Sequence, residues 1–489
     1  SERPMRILIA SSELHPYSKT GGLADMVGAL GKYLARAGHR VGIVTPYYRH
    51  LRSHSPPFPI LKWAMDLPVG SRVLSARVRY HRPAPRLTIY FIEQPFQFDR
   101  DGLYGDEAGN YPDNAERFAF FSKAAVHLGR YLPWQPEIVH AHDWQTGLVP
   151  LLIHHQHRTD GWIRPPATLF TIHNLAYQGI FPASQLACTN LPGDYFHPGG
   201  IEFYGQVSFL KAGLVYADYL STVSPRYARE ILEPEFGCGF DGLLRQRQNA
   251  LVGILNGVDY SEWKTRRNPH LDASYDARHL RGKTINKTAL QKEMGLPPDP
   301  DIPLFGNISR LADQKGFDIL IPALPHLVSE PAQFVALGSG DPRFESALLD
   351  LARRHPDRIA VRIGFDTRLS HRIEAGADFF VMPSRFEPSG LNQLYSLRYG
   401  AIPVVRATGG LDDSVVDITE DLDRVNGIKF HDYSAPALLK ALHKALALHP
   451  KPRLLEFYRV NGMEADFSWR KTAADYQQIY DRLAGQKRA

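Results

Sequence analysis

The sequence predicts an α/β protein made of two doubly wound, Rossmann-like parallel-sheet domains, and three observations carry that prediction. First, 489 residues is long for a single hydrophobic core, so the chain should divide. Second, short apolar runs recur along its whole length, and they are nearly all-apolar rather than alternating. That is the pattern of parallel strands buried on both faces. Third, stretches with helical spacing separate those runs, and alternating β and α segments pack as a parallel sheet covered by helices.

The strand candidates run in order. In the first half they are RILIAS (6–11), RVGIVTP (40–46), LTIYFIE (87–93), EIVHAHD (137–143), TLFTIH (168–173), YLSTVS (219–224) and LVGILN (251–256). In the second half they are IPLFGNIS (302–309), QFVALGS (333–339), IAVRIGF (359–365), DFFVMPS (378–384), IPVVRAT (402–408) and GIKF (427–430). Helices are expected over 22–38 and 389–400. In the first of them Leu23, Met26, Val27, Leu30 and Leu34 fall on one face. The polar, charged stretch 260–300 holds the boundary between the halves, and 467–489 reads as a terminal helix. No repeat of 20–50 residues and no low-complexity tract is present.

Composition narrows the function. Hydrophobic residues make up 44% and charged residues 22%, as in ordinary soluble globular proteins. No apolar run reaches the roughly 18 residues of a membrane span. The first five residues, SERPM, are too short and polar for a signal peptide and read as a trimmed or tagged start. Cys188 and Cys238 support no disulfide framework and suit a reducing compartment. A net charge of +6 without a dense Lys/Arg block marks a solvated surface rather than a nucleic-acid interface.

Four stretches carry chemistry. In YSKTGGLADMVG (17–28), Gly21 and Gly22 open a helix whose first N–H groups lack intrahelical partners, and Lys19 adds a full charge beside them. In LFGNISRLADQKGFDILI (304–321), Arg310 and Lys315 repeat the arrangement in the second half. A cation there opposes the helix dipole by ~0.3–1 kcal/mol, and a bound diphosphate would reverse the sign. Two basic strand-to-helix turns, one in each half, suggest an anion held by both. In the third stretch, 378–410, Glu387 precedes a helix and a Gly-Gly pair at 409–410 could open the backbone to a ligand. In the fourth, VHAHDWQTG and FTIHNLAYQG put Asp143 and His173 just past strand ends, where such sheets place their sites. Read singly, each has an ordinary structural explanation: a loop lysine, a helix-cap glutamate, a satisfied core histidine.

Other motifs fail. Gly282-Lys283-Thr284 lacks the first glycine of a phosphate-binding P-loop, since position 277 is Ala277, and no strand precedes it. HAHD (140–143) has strand spacing without a third metal ligand, and HHQH (154–157) reads as a solvated helix face. No G-x-S-x-G elbow or H-E-x-x-H is present.

Taken together, KTGGLAD (19–25), HAHDWQTG (140–147), TIHNLAYQG (171–179), TVSPRYAREI (222–231), ILNGVD (254–259), SRLADQKGFD (309–318), FEPSGLNQLYSLRYG (386–400) and TGGLDDSV (408–415) resemble the bacterial glycogen synthase and plant starch synthase family. The resemblance spans nearly the whole chain, in order. It implies a retaining glucosyltransferase of the GT-B architecture with an interdomain active-site cleft. The acceptor-side domain would cover 1–258, the donor-side domain 259–466, and 467–489 would cross back to the first. Carried over by matching position, Lys19, Gly21 and Gly22 belong to the diphosphate loop, with Asp25 beside it. Arg310 and Lys315 match the pair that binds the diphosphate and stabilises its departure. Glu387 matches the glutamate that holds the donor glucose; His173, Asp143 and Asn256 match residues around that sugar. Gly364, Phe365, Leu391 and Asn392 should lie near the nucleotide.

The reaction so implied is transfer of glucose from ADP-glucose to the non-reducing end of an α-1,4-glucan, with UDP-glucose used by some plant members. No metal or cofactor is expected, nor any nucleic-acid or membrane partner. The compartment would be the bacterial cytoplasm or, in a plant or alga, the plastid stroma. The chain departs from bacterial relatives at Ser389, often a cysteine, and at Asn392, often a threonine. Gln145 stands where many members have histidine, though others share the glutamine. The rival readings are another retaining transferase of the same fold and a non-catalytic glucan-binding homologue.

Overall fold

The computed structural model describes residues 3–487, which separate into two units. The first takes in the chain to Val223, then Ala228–Ile254, and the chain from Trp469 onward. The second is Ser224–Tyr227 with Leu255–Ser468.

In the first unit the strands are β1 (Arg6–Ala10), β2 (Arg40–Pro46), β3 (Ile60–Val69), β4 (Arg72–Ala84), β5 (Leu87–Glu93), β6 (Ile138–His142), β7 (Ala167–Ile172), β8 (Tyr219–Thr222) and β9 (Leu251–Gly253). They form one sheet in the order β9-β8-β7-β6-β1-β2-β5-β4-β3. The seven from β9 to β5 run parallel; β4 and β3 add an antiparallel hairpin at one edge. The sequence did not show this hairpin as strands. RVLSARVRYHRPA alternates arginines with apolar residues because the edge is half exposed, and Arg77 and Arg79 both pair with the buried carboxylate of Glu93. A three-stranded antiparallel sheet of Ile180–Pro182, Gln206–Ser208 and Glu202–Phe203 was equally illegible, its strands being two or three residues long.

Helix α1 (Gly22–Arg36) buries the apolar face expected of it, with Met26, Val27, Leu30 and Leu34 at most 1% exposed. The same core takes Trp469, Tyr476, Tyr480 and Leu483 from the C-terminal helix Trp469–Gln486. That helix was expected over 467–489; its last two positions lie outside the described residues.

In the second unit β10 (Leu304–Ile308), β11 (Gln333–Gly338), β12 (Ile359–Ile363), β13 (Phe379–Met382), β14 (Ile402–Arg406) and β15 (Ile428–Phe430) form a parallel sheet in the order β12-β11-β10-β13-β14-β15. The polar stretch 260–300 contains the helix Arg281–Glu293, and Lys283 of the rejected Gly-Lys-Thr motif is buried in it. Its Nζ donates to the backbone carbonyls of Glu374, Ala375 and Tyr399, so this lysine is a structural tie. The HHQH run lies on helix Leu148–Thr159 with His157 exposed and His154 to Gln156 half-exposed; His155 also bonds the Tyr195 hydroxyl and His157 the Trp162 carbonyl. Among the described residues, no helix is long and apolar enough to cross a membrane.

Strand order tells where each unit binds ligands. A crevice opens past the carboxyl ends of the strands where the order reverses. In the first unit that point lies between β1 and β6, and in the second between β10 and β13. The loops that leave these strands carry Lys19, Asp143, Arg310 and Glu387.

Candidate active site

In the first unit, the loop after β1 leads into α1 with Gly21 at the N-cap and no side-chain cap. Lys19 does not stand alone against the helix dipole: its Nζ lies 2.7 Å from Asp25 Oδ2, in the helix's first turn. An exposed pair of this kind contributes at most ~1 kcal/mol, so an incoming anion can compete for the lysine. The loop's free N–H groups are also partly claimed. Thr20 N–H (2.5 Å) and Gly21 N–H (3.3 Å) donate to Glu13 Oε1, and the Thr20 hydroxyl donates to Oε2. The Tyr104 hydroxyl donates to the same carboxylate at 2.6 Å. Glu13, only 4% exposed, therefore holds the shape of this turn. Sequence reasoning missed it, although its place directly after β1 and before the glycines was the available signal. The outer face of Gly21 stays open, since a Cβ built there meets nothing within 4 Å.

Asp143 follows β6 in a backbone conformation (φ 58°, ψ −177°) that is essentially reserved for glycine. Its Oδ1 accepts the His173 backbone N–H at 2.7 Å, and Asn174 N–H also bonds the carboxylate. Asp143 and His173 are thus joined, because the strands they follow, β6 and β7, are neighbours in the sheet. Burial pushes the Asp143 carboxyl up to about 7, with the nearby Glu13 adding to the rise, while burial brings His173 down to about 3. His173 is consequently neutral throughout the physiological range.

A stability prediction follows from Asp143. Its folded pKa lies above the unfolded one, so its contribution is full below about pH 4 and is lost as pH rises through about 7. Asp143→Asn keeps an acceptor without the buried charge. Its melting temperature relative to wild type should climb by a few degrees between pH 4 and pH 7.5, then level off. Thermal melts across that range check this, and a pH-independent difference would refute it.

In the second unit, Lys315 Nζ bonds both carboxylate oxygens of Glu387, at 3.0 and 2.8 Å, and the Ser384 hydroxyl donates to Oε2 at 3.0 Å. Glu387 is 5% exposed. It is therefore a buried, paired carboxylate rather than a plain helix-cap charge. Arg310, in the same loop as Lys315, is exposed, and its side chain makes no hydrogen bond or ion pair among the described residues, although its backbone carbonyl accepts from Ala312 N–H and the Ser309 hydroxyl. The two loops are stitched together: Arg385 N–H donates to the Gln314 carbonyl, and Gln314 Nε2 to the Phe386 carbonyl.

Gly316 makes this approach possible. Its φ is +80°, and a Cβ there would lie 2.0 Å from the Pro383 carbonyl oxygen. Gly316→Ala should cost about 2–4 kcal/mol, read as a lower urea midpoint at unchanged slope. A loss under ~0.5 kcal/mol would contradict the packing. The glycines at 409–410 have a structural reason of the same kind. A Cβ on Gly409 would meet the Glu387 carbonyl at 1.8 Å and one on Gly410 the Ser389 carbonyl at 1.8 Å. They let the helix Gly409–Ser414 press against the Glu387 loop and hold it.

The remaining expected positions lie elsewhere along the chain. Asn392 opens the helix Asn392–Tyr399, with Leu391 at its N-cap, and its Nδ2 donates to the Ile308 carbonyl at the end of β10. Gly364 (φ +132°) follows β12, and the next residue, Phe365, is 85% exposed. Asn256 is buried, and its Oδ1 has no hydrogen-bond partner among the described residues. Among those residues, no three of His, Cys, Asp and Glu are grouped so as to hold a metal ion.

Two Rossmann-like units, each with basic or acidic side chains at its strand-order reversal, are the parts from which glycosyltransferases of the GT-B fold are built, and the comparisons place the chain in that class. The model for the starch synthase catalytic domain matches residues 6–246, and that for group 1 glycosyl transferases matches 289–456. The glycogen synthase of Anaeromyxobacter sp. (strain Fw109-5) is 49% identical over 481 residues, covering 98% of this chain and 100% of its own. That of Myxococcus xanthus (strain DK1622) is 47% identical over 485 residues, covering 99% and 100%. The chain belongs to the glycogen synthase and starch synthase family. The solved catalytic domain of starch synthase IV from Arabidopsis thaliana, bound to ADP and acarbose, superposes with a TM-score of 0.90 at 32% identity, covering 99% of this chain and 100% of that one. Sucrose-phosphate synthase from Thermosynechococcus elongatus, at 18% identity and a TM-score of 0.62, shares the fold.

Proposed function

We propose that this glycogen/starch synthase transfers glucose from ADP-glucose to the non-reducing end of an α-1,4-glucan, with retention of configuration. The observation that carries the proposal is the part-buried Lys315–Glu387 pair, with the unpaired side chain of Arg310 in the same loop as Lys315. Lys315 has one N–H left after bonding both oxygens of Glu387, and Arg310 has all of its donors. Both are available to a leaving diphosphate, whose growing negative charge they stabilise in the transition state. Glu387 accepts hydroxyl hydrogens of the donor glucose. Lys19, held only by an exposed pair with Asp25, supplies a further positive charge, with Gly22 and the open face of Gly21 nearby in the chain. His173, Asp143 and Asn256 contact the sugar. No side chain described here is set as a nucleophile, so the acceptor attacks from the face the diphosphate leaves, and a phosphate oxygen takes its proton. Excluding water during this step keeps hydrolysis from competing with the glucan. The chemistry requires no resident cofactor in this account.

ADP is the nucleotide by likeness to the Arabidopsis structure. Phe365 offers an exposed ring, and an aromatic–base stack contributes ~1–3 kcal/mol. Phe365→Ala should raise the KM for ADP-glucose about tenfold and leave kcat within about threefold; an unchanged KM would remove Phe365 from the nucleotide site. Proton NMR of the product made from ADP-glucose and a malto-oligosaccharide tests the reaction itself. A new α-anomeric signal is expected, and a β signal would refute retention.

A further inference from the structure

Beneath His173 lies a set of buried polar groups that the proposed reaction does not use. His140 and His142 are two residues apart on β6 and share a face of the sheet. Both are 0% exposed, and their ring centroids are 4.1 Å apart. His140 is fixed at both nitrogens, Nδ1 to the Tyr480 hydroxyl and Nε2 to the Thr171 hydroxyl, each at 2.6 Å. Thr171 continues to the Ser221 hydroxyl at 2.6 Å. The His142 ring packs on this anchored ring and has one polar contact of its own, from Nδ1 to His173 Nε2 at 3.0 Å. Its Nε2 is buried and has no hydrogen-bond partner among the described residues.

These contacts determine where the protons sit. Burial holds His140, His142 and His173 neutral, so each ring carries a single N–H. One member of the His142–His173 pair must donate. Were it His173, the proton of His142 would lie on Nε2, leaving a buried N–H without an acceptor, which is rare and costs ~1–3 kcal/mol. Were it His142, its Nε2 would be a bare lone pair, the milder loss. His142 is therefore the donor, through Nδ1–H, and His173 Nε2 the acceptor.

We propose that His142 is a positioning residue for glucosyl transfer, locking His173 in the tautomer that carries its proton on Nδ1. His173 then offers the donor sugar an N–H rather than a lone pair. This inference rests on the reading of His173 as a sugar contact, and its test separates the two. In protein labelled with ¹⁵N-histidine, with His173 assigned by its loss in His173→Gln, the wild-type ring should show a pyrrole-type Nδ1 and a pyridine-type Nε2. His142→Phe should convert that signature to a tautomer mixture and lower kcat about 10–100-fold, with the KM for ADP-glucose changed less than threefold. His142→Asn, whose amide can donate from nearly the same place, should keep the signature and recover most of kcat even if the phenylalanine variant folds poorly. A pyrrole-type Nε2 in the wild type, or an unchanged signature in His142→Phe, overturns the proposal. Full activity in His173→Gln would instead overturn the sugar contact, whatever tautomer the spectra report.

Discussion

Replacing Lys315 with alanine is expected to lower kcat by a factor of about 10²–10³, the usual cost of removing one preorganised group that stabilises transition-state charge. Lys315 is held by Glu387 in a fixed position, so its charge requires no reorganisation when the diphosphate departs. The substitution also leaves a 5%-exposed carboxylate without its cation, so some loss of stability accompanies it. The two effects separate in a double variant. Lys315→Met combined with Glu387→Gln removes both charges, and its melting temperature should return toward wild type while its turnover falls well below that of Glu387→Gln alone. Turnover equal to that of Glu387→Gln alone, with stability restored, would show that Lys315 serves the fold alone.

Glu387→Gln is expected to reduce kcat by at least about 10²-fold while the dissociation constant of ADP changes only a few-fold. The reason lies in what Glu387 touches. The partners of its side chain in the structure are Lys315 and Ser384, and its remaining lone pairs can accept from the hydroxyls of the donor glucose, a group that ADP lacks. Steady-state rates with ADP-glucose and calorimetric titration with ADP check the split. Equal losses in both would mean that Glu387 acts only by orienting Lys315 toward phosphate.

Much of this was legible in the sequence for a definite reason. Strands such as RILIA and LFGNI are buried on both faces, so their apolar runs announce them. The edge hairpin β3–β4 was invisible because its exposed face carries arginine, and alternation with a charged residue does not look like a core strand. Lys19, Arg310, Lys315 and Glu387 were conspicuous because each seemed misplaced or merely ordinary beside a helix terminus. What single positions could not show was pairing. Asp25 on Lys19, Glu13 on the turn before α1 and Lys315 on Glu387 are contacts made by folding. The packing role of the glycines at 409–410 was hidden because a Gly-Gly pair before a helix looks alike in sequence whatever its missing Cβ would meet. His142 was weighed only as a metal ligand; its link to His173 comes from the pairing of β6 with β7.

The most direct measurement of the central claim is the incorporation of radiolabelled glucose into glycogen from ADP-glucose and, in parallel, from UDP-glucose. The account predicts rapid incorporation from ADP-glucose, slower incorporation from UDP-glucose, and loss of both in Lys315→Ala. Label that enters glycogen only from UDP-glucose, or from neither donor, would contradict it.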